Sequence, residues 1–195
     1  MKNIILASQS PRRKQLLEQA EITFSVKTVH TREDYPSGLP AEEVPVFIAT
    51  HKGAAVWDTL PDADRKTHVV IAADTVVILD NIVLGKPGDD QEALQMLKAL
   101  SGKKHRVITA VACYTMLGVQ TFSEVTEVYF RKLSEAQLIH YIKAYQPYDK
   151  AGAYAIQEWI GLVGIEKING DFYNVMGLPV GRLLQVLAAL PDDLL

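Results

Sequence analysis

His68-Val69-Val70-Ile71-Ala72-Ala73-Asp74-Thr75-Val76-Val77-Ile78-Leu79, residues 68–79, is the stretch on which the fold turns. Its first six residues are β-rich and nearly all apolar, the composition of a central strand. Thr75 to Leu79 continues in the same character to a turn at Asp80-Asn81 and a short strand over Ile82 to Leu84. Asp74 interrupts the apolar run and is expected at a strand end or a kink. A carboxylate in such a place must be paired, hydrogen-bonded or metal-bound to offset its desolvation, unless it is simply a turn aspartate.

Upstream, Ile4 to Ala7 reads as a short buried strand, and Ser10-Pro11 offers a helix N-cap followed by proline at the first helical position. The helix then starts at Pro11 and turns Leu16, Leu17 and Ala20 inward. Arg12, Arg13 and Lys14 fall in its first turn, where cations oppose the helix dipole. Thr23 to Thr28 looks like a second strand, followed by a loop through Pro36 and Gly38. A second helix begins around Ala41, tolerates Pro45 in its first turn and runs past Lys52 towards Leu60.

Downstream, Gly85-Lys86-Pro87-Gly88 is a loop, Asp89-Asp90 can cap a helix over Ala93 to Leu100, and Ser101-Gly102 ends it. Long strands around Arg106 to Met116 and Val119 to Phe130 form a hairpin about Leu117-Gly118. Ser134 with Gln137 is a capping box for a helix to about Ala144. After the loop Gln146 to Gln157, a strand is expected around Leu162 to Ile168, then an Asn169-Gly170 turn and a strand around Phe172 to Val175. Pro179 opens a last helix with Leu183, Leu184, Leu187 and Leu190 at helical spacing. Hairpins mixed with strand-helix alternation indicate an α/β fold with a mixed sheet, whose strand order is not readable.

The 195 residues are 48% apolar, enough to bury a core as one domain over residues 1–195 or as two packed lobes. A net charge of -3 argues against a nucleic-acid partner, although a local basic pocket is compatible with it. The lone Cys113 lies in an apolar run, so it forms no internal disulfide and reads as a buried thiol in a reducing compartment. The start, Met1-Lys2-Asn3-Ile4-Ile5-Leu6-Ala7, resembles a signal peptide, but its apolar run ends at Ser8 and meets Arg12-Arg13-Lys14. Since no apolar run approaches the roughly 18 residues of a membrane span, a soluble cytoplasmic protein without a membrane partner is expected.

Four polar clusters, Ser8 to Arg13, Ala73-Asp74-Thr75, Leu84-Gly85-Lys86-Pro87 and Asp149 to Tyr154, interrupt apolar runs at connections, where a rigid scaffold commonly holds catalytic groups. In Ser8-Gln9-Ser10-Pro11-Arg12-Arg13, hydroxyls, helix-start N–H groups and two guanidiniums converge as in a phosphate clamp; the plain alternative is a capped helix with solvated arginines. Asp74 suits a magnesium-bound triphosphate, because Mg²⁺ takes one or two carboxylates together with phosphate oxygens and water. Glu33 offers a second carboxylate, and Lys52 and Lys86 offer point charges for phosphate, each having an ordinary solvated surface role as its alternative. The five histidines lack zinc-ligand spacing, and neither a Gly-x-x-x-x-Gly-Lys-Ser/Thr loop nor a Gly-x-Ser-x-Gly elbow occurs.

Leu6-Ala7-Ser8-Gln9-Ser10-Pro11-Arg12-Arg13, Ala72-Ala73-Asp74-Thr75-Val76-Val77, Leu84-Gly85-Lys86-Pro87 and Asp149-Lys150-Ala151-Gly152-Ala153-Tyr154-Ala155-Ile156-Gln157 together resemble the Maf family in content and order. The resemblance extends through Leu100-Ser101-Gly102, His105, Thr109-Ala110-Val111 and Val175-Met176-Gly177-Leu178-Pro179, over nearly the whole chain. It implies a homodimeric α/β fold akin to the inosine triphosphate pyrophosphatases, a mixed twisted sheet with flanking helices and two lobes around a cleft. It also implies hydrolysis of nucleoside triphosphates to monophosphate and pyrophosphate, dependent on a divalent cation, Mg²⁺ or Mn²⁺.

By the same resemblance Asp74 is the catalytic aspartate, accompanied by Glu33, Lys52 and Lys86, with Ser8, Arg12 and Arg13 near the phosphates and Asp74 and Glu33 as the metal-facing carboxylates. Arg12, Thr75 and Gln157 occupy the positions that mark the branch acting on dTTP and UTP. Gly53 departs from the family's usual alanine, and Glu158-Trp159 follow Gln157 where a glycine is common. Asp74 either holds the metal or accepts a proton from the water that attacks phosphorus.

Thymine and uracil present an acceptor at O4 beside a donor at N3, which the Gln157 carboxamide complements. Cytosine presents the reverse pair and an amide can flip to match it, so something must lock Gln157; Thr75 and backbone groups of Ala153 to Ile156 are the candidates. Two other readings compete: a regulator of cell division that uses a nucleotide as a signal, and a structural domain in which Asp74, Lys86 and Arg13 lie far apart.

Overall fold

The computed structural model describes residues 3–191, so Met1 and Lys2 of the leader-like start lie outside the described residues. Strand β1 (Asn3–Leu6) leads into helix α1 (Pro11–Gln19), where Ser10 is the N-cap, Pro11 sits in the first turn and Leu16 and Leu17 are buried as expected. Arg13 is buried with them, which a solvated arginine would not be. Strand β2 (Phe24–Val26) precedes helix α2 (Val44–Trp57), which has Pro45 in its first turn, and the short helix α3 (Asp62–Arg65).

Strand β3 (His68–Leu79) runs unbroken through Asp74, so the expected strand end or kink there is not found. The carboxylate stays within the buried strand because cations from two helices reach it, as described below. Asp80 and Asn81 both adopt positive φ, 50° and 65°, the conformation a tight two-residue hairpin requires, and return the chain as β4 (Ile82–Leu84), antiparallel to β3. Helix α4 (Asp90–Leu100) is capped by the Asp89 side chain, and strands β5 (Lys104–Thr115) and β6 (Gly118–Phe130) follow. Helix α5 (Glu135–Tyr145) begins with the Ser134–Gln137 capping box, and two short 3₁₀ turns, Pro147–Asp149 and Ala151–Ala153, succeed it.

The next segment differs from expectation. The run from Leu162 opens not as a strand but inside helix α6 (Trp159–Gly164), and strand β7 is confined to Ile165–Asn169. Asn169-Gly170 does not turn a hairpin, because Asn169 stays in the ladder opposite Glu127 and only Gly170 takes a positive φ, 132°. Phe172–Met176 is helix α7, started by the Asp171 carboxylate accepting from the Tyr173 N–H. It is anchored by the buried Asn174 amide, which donates to the Val107 carbonyl and to Thr126 Oγ1. Helix α8 (Val180–Ala188) closes the described fold with Leu183 and Leu187 inward, while Leu184 stays 43% exposed.

The seven strands form one mixed sheet in the order β2-β1-β3-β5-β6-β7, with β4 alongside β3; β1 is parallel to both β2 and β3, and β7 is antiparallel to β6. The chain divides into two compact units. One takes the chain as far as Asp74, then Thr109–Glu124 and the described residues from Gly177 onward; the other takes Thr75–Ile108 and Val125–Met176.

In the first unit, α2 packs Ala49 and Val56 against the small sheet residues Ala72, Ala110 and Ala112. A Cβ on Gly53 would lie 2.4 Å from the Tyr114 ring and 3.3 Å from Ala72 Cβ, and Tyr114 is pinned by its hydroxyl donating to the Thr50 carbonyl. That contact accounts for glycine here instead of the family's alanine. Gly53→Ala is therefore expected to cost about 2 kcal/mol through overpacking and to lower the melting temperature by about 6 °C. An unchanged melting temperature in calorimetry would show that Tyr114 yields freely.

In the second unit His105, Phe130 and Tyr154 form a buried cluster of edge-to-face rings, with His105 Nε2 hydrogen-bonded to the Tyr154 hydroxyl and His105 Nδ1 without a partner among the described residues. Burial lowers the His105 pKa from 6.5 to about 4. Between those values the unfolded chain takes up a proton that the folded chain refuses. The stability is thus complete above pH 6.5 and is lost as pH falls towards 4, an effect of about 3 kcal/mol. Urea unfolding at pH 7 and pH 4.5 should show the native protein losing about 2–3 kcal/mol more than His105→Asn, and equal losses would place the acid sensitivity elsewhere.

Candidate active site

Parallel pairing brings the first cluster to the aspartate. Leu6 of β1 faces Ile71 of β3 and Ala7 N–H donates to the Ile71 carbonyl, so Ser8, two residues further, comes level with Ala73 beside Asp74. The chain then turns into α1, and Arg13 in its first turn folds back into the protein. Its Nε donates to the Gly177 carbonyl at 2.8 Å and its Nη1 to Ser8 Oγ at 3.3 Å, so the guanidinium fork is held at two points. Gly177 offers that carbonyl from a backbone with φ 114°, a conformation that favours glycine.

Lys52 extends from the middle of α2, and its ammonium donates to Asp74 Oδ1 and to Glu33 Oε1, each at 2.7 Å. Asp74 is 8% exposed, whereas Glu33 reaches in from the long loop before α2 and its side chain stays 44% exposed. Burial pushes the Asp74 carboxyl above the ordinary range, and Lys52 and Arg13 oppose that rise. Burial likewise works against the Arg13 charge, and Asp74 supports it. A desolvated carboxylate is a stronger proton acceptor than one in water, and the two cations favour its ionised form.

Ser8, Arg13, Glu33, Lys52 and Asp74 are thus brought together within the first unit, which removes the reading of Asp74 and Arg13 as unrelated turn and surface residues. Arg12, the neighbour of Arg13, is half-buried. The other expected site residues lie in the second unit: Thr75 directly follows Asp74, while Lys86 and Gln157 are exposed on loops. Gly152 N–H donates to the Gly85 carbonyl at 2.9 Å, which ties the Lys86 loop to the segment ahead of Gln157. Gln157 itself is exposed at the end of the Ala153 to Ile156 segment, whose residues are buried. Sequence reasoning missed Gly177 as the anchor of Arg13 and missed Tyr141, whose place on a buried helix stripe calls for a hydroxyl partner.

Among the described residues no three His, Cys, Asp or Glu side chains group as a protein cage for a metal ion. Two carboxylates that converge on one ammonium fit a hard cation completing its shell with phosphate oxygens and water, and do not fit structural zinc.

An α/β protein with a buried, cation-flanked carboxylate beside a serine-arginine clamp has the equipment of an enzyme acting on an anionic substrate. The chain belongs to the Maf-like protein family, whose model matches residues 3–190. A Phocaeicola vulgatus protein named dTTP/UTP pyrophosphatase is 52% identical over 190 residues, covering 96% of this chain and 95% of its own. A Cytophaga hutchinsonii protein of the same name is 49% identical over 185 residues, covering 95% of this chain and 83% of its own. Among solved structures, the Ham1 protein of Staphylococcus aureus matches with a TM-score of 0.44 and 13% identity, covering 66% of this chain and 72% of its own.

Proposed function

We propose that the protein is a nucleoside triphosphate pyrophosphatase that hydrolyses dTTP and UTP to the monophosphate and pyrophosphate. The observation that carries this reading is the buried Asp74 carboxylate on the Lys52 ammonium, with Glu33, Arg13 and Ser8 around it. The names of relatives up to 52% identical over nearly the whole chain support the choice of substrates.

In this reading Arg13 and Ser8 bind phosphate oxygens, Lys52 and Lys86 offset the charge that develops as the anhydride bond breaks, and Asp74 takes the proton of the water attacking the α-phosphorus. Asp74 and Glu33 would also hold the divalent cation, Mg²⁺ or Mn²⁺, which when bound neutralises phosphate charge. Arg12, Thr75 and Gln157 select the base. The protein works in the cytoplasm as a homodimer and needs no nucleic-acid partner. No helix of the described residues is long and apolar enough to cross a membrane, which is compatible with that location.

Phosphorus NMR of the reaction tests the proposal. The expected products from dTTP and UTP are the monophosphate and intact pyrophosphate, and a chelator stops their formation. Orthophosphate with a nucleoside diphosphate would place attack at the γ-phosphorus and overturn it.

A further inference from the structure

Helix α5 supplies two consecutive residues, His140 and Tyr141, that hold the consecutive pair Glu158-Trp159 just after Gln157. The Tyr141 hydroxyl, fully buried, donates to Glu158 Oε2 and accepts the Ala155 N–H at 3.2 Å. His140 meets the Trp159 ring edge-on, with centroids 5.0 Å apart. Lys150 is buried to 7% exposure, and its ammonium sits 2.8 Å from the mostly exposed Asp149 carboxylate and 3.5 Å from Glu158 Oε1. From the other side, a Cβ on Gly161 would lie 1.7 Å from the Ile156 carbonyl oxygen, so α6 rests directly on the peptide that leads into Gln157. The backbone on both sides of Gln157 is therefore fixed by Tyr141, Lys150 and Gly161, and the Glu158 carboxylate joins the first two. Gln157 is exposed, and the part of this segment that the fold holds is the backbone on either side of it.

We infer that Glu158, acting through Tyr141 and Lys150, is the positioning residue that aims Gln157 and so sets the preference for dTTP and UTP over CTP. This rests on the substrate reading above. A buried ammonium deprived of one of its two carboxylates relaxes towards the other, and the segment from Lys150 to Glu158 loosens with it. A looser Gln157 pays in KM, because the amide must be ordered on binding, and lets the carboxamide adopt the flipped direction that suits cytosine.

The test combines Glu158→Gln and Tyr141→Phe with steady-state kinetics on dTTP, UTP and CTP, alone and in a Gln157→Ala background. Each variant is expected to raise KM for dTTP and UTP about tenfold with kcat within about twofold, and to lower discrimination against CTP about tenfold. In the Gln157→Ala background the same changes should have less than about a twofold effect, because the group they aim is gone. Equal losses on all three nucleotides, or undiminished losses in the Gln157→Ala background, would make Glu158 merely structural and overturn the inference. Hydrogen exchange gives a reading independent of substrate: the Ala155 amide should exchange at least about tenfold faster in both variants, and an unchanged rate would sink the positioning role. A native protein that hydrolyses no dTTP or UTP would instead refute the substrate reading, leaving the exchange result to judge whether Glu158 fixes the loop.

Discussion

Asp74→Asn is expected to slow hydrolysis of dTTP and UTP by about 10³-fold or more while leaving a folded protein. The substitution keeps the volume and removes the charge from a carboxylate that is 8% exposed and hydrogen-bonded to Lys52 at 2.7 Å. Loss of a positioned proton acceptor alone costs about 10²–10⁴-fold in rate. Stability should move in the other direction or hardly at all. Burial raises the Asp74 pKa, which means that the ionised side chain is held in the fold at a cost that a neutral amide does not carry, and Lys52 keeps Glu33 as its partner. Thermal melting within a few degrees of the native protein, together with near-complete loss of turnover, is the predicted pair of results. Near-normal turnover with Mg²⁺ present would remove Asp74 from the catalytic centre.

The fold was legible wherever a local physical rule settles the backbone. Ser10-Pro11, Asp89 and the Ser134–Gln137 pair mark helix starts because their side chains satisfy N–H groups that the helix leaves open, and each cap is found in place. Asp80-Asn81 and Asn169-Gly170 show where such rules stop. Both pairs can form a two-residue hairpin, but only the first takes positive φ at both residues. The second is governed by partners distant in sequence: Asn169 pairs with β6, and Asn174 reaches Val107 and Thr126. The same limit applies to the site. The Ser8–Arg13 cluster and Asp74 stand out as polar breaks in apolar runs, and Arg12, Arg13 and Lys14 look misplaced at a helix N-terminus. The misfit is resolved for Arg13 by Gly177, 164 positions away, and by the charge of Asp74. Glu33 and Lys52 read locally as a carboxylate and a cation with an ordinary surface role as the alternative; the Maf resemblance singles them out, and tertiary folding across 19 and 22 positions joins them to one another and to Asp74.

Lys52→Met should prove the second most damaging change, and its effect should depend on pH. The Lys52 ammonium is held 2.7 Å from one oxygen of Asp74 and 2.7 Å from one of Glu33, and without it two carboxylates confront each other. At a separation of about 5 Å and an effective dielectric constant of about 20, their repulsion is about 3 kcal/mol, more than a surface loop contact supplies. Glu33, on a loop with its side chain 44% exposed, can escape into water; Asp74, in the middle of β3, cannot. Asp74 then keeps its burial, which already raises its pKa, and loses the first of the two cations that oppose that rise, so it holds a proton to higher pH. In the proposed mechanism the variant lacks a cation for the triphosphate and its proton acceptor stays protonated to higher pH than in the native protein, so kcat/KM should fall by about 10²-fold or more. Raising the pH should restore the acceptor but not the cation, so the acid limb of the rate profile moves to higher pH and activity recovers only in part. Rate profiles for dTTP from pH 6 to 10 in both proteins test this, and a variant with the native acid limb and a rate within a few-fold would show that Lys52 neither tunes Asp74 nor binds phosphate.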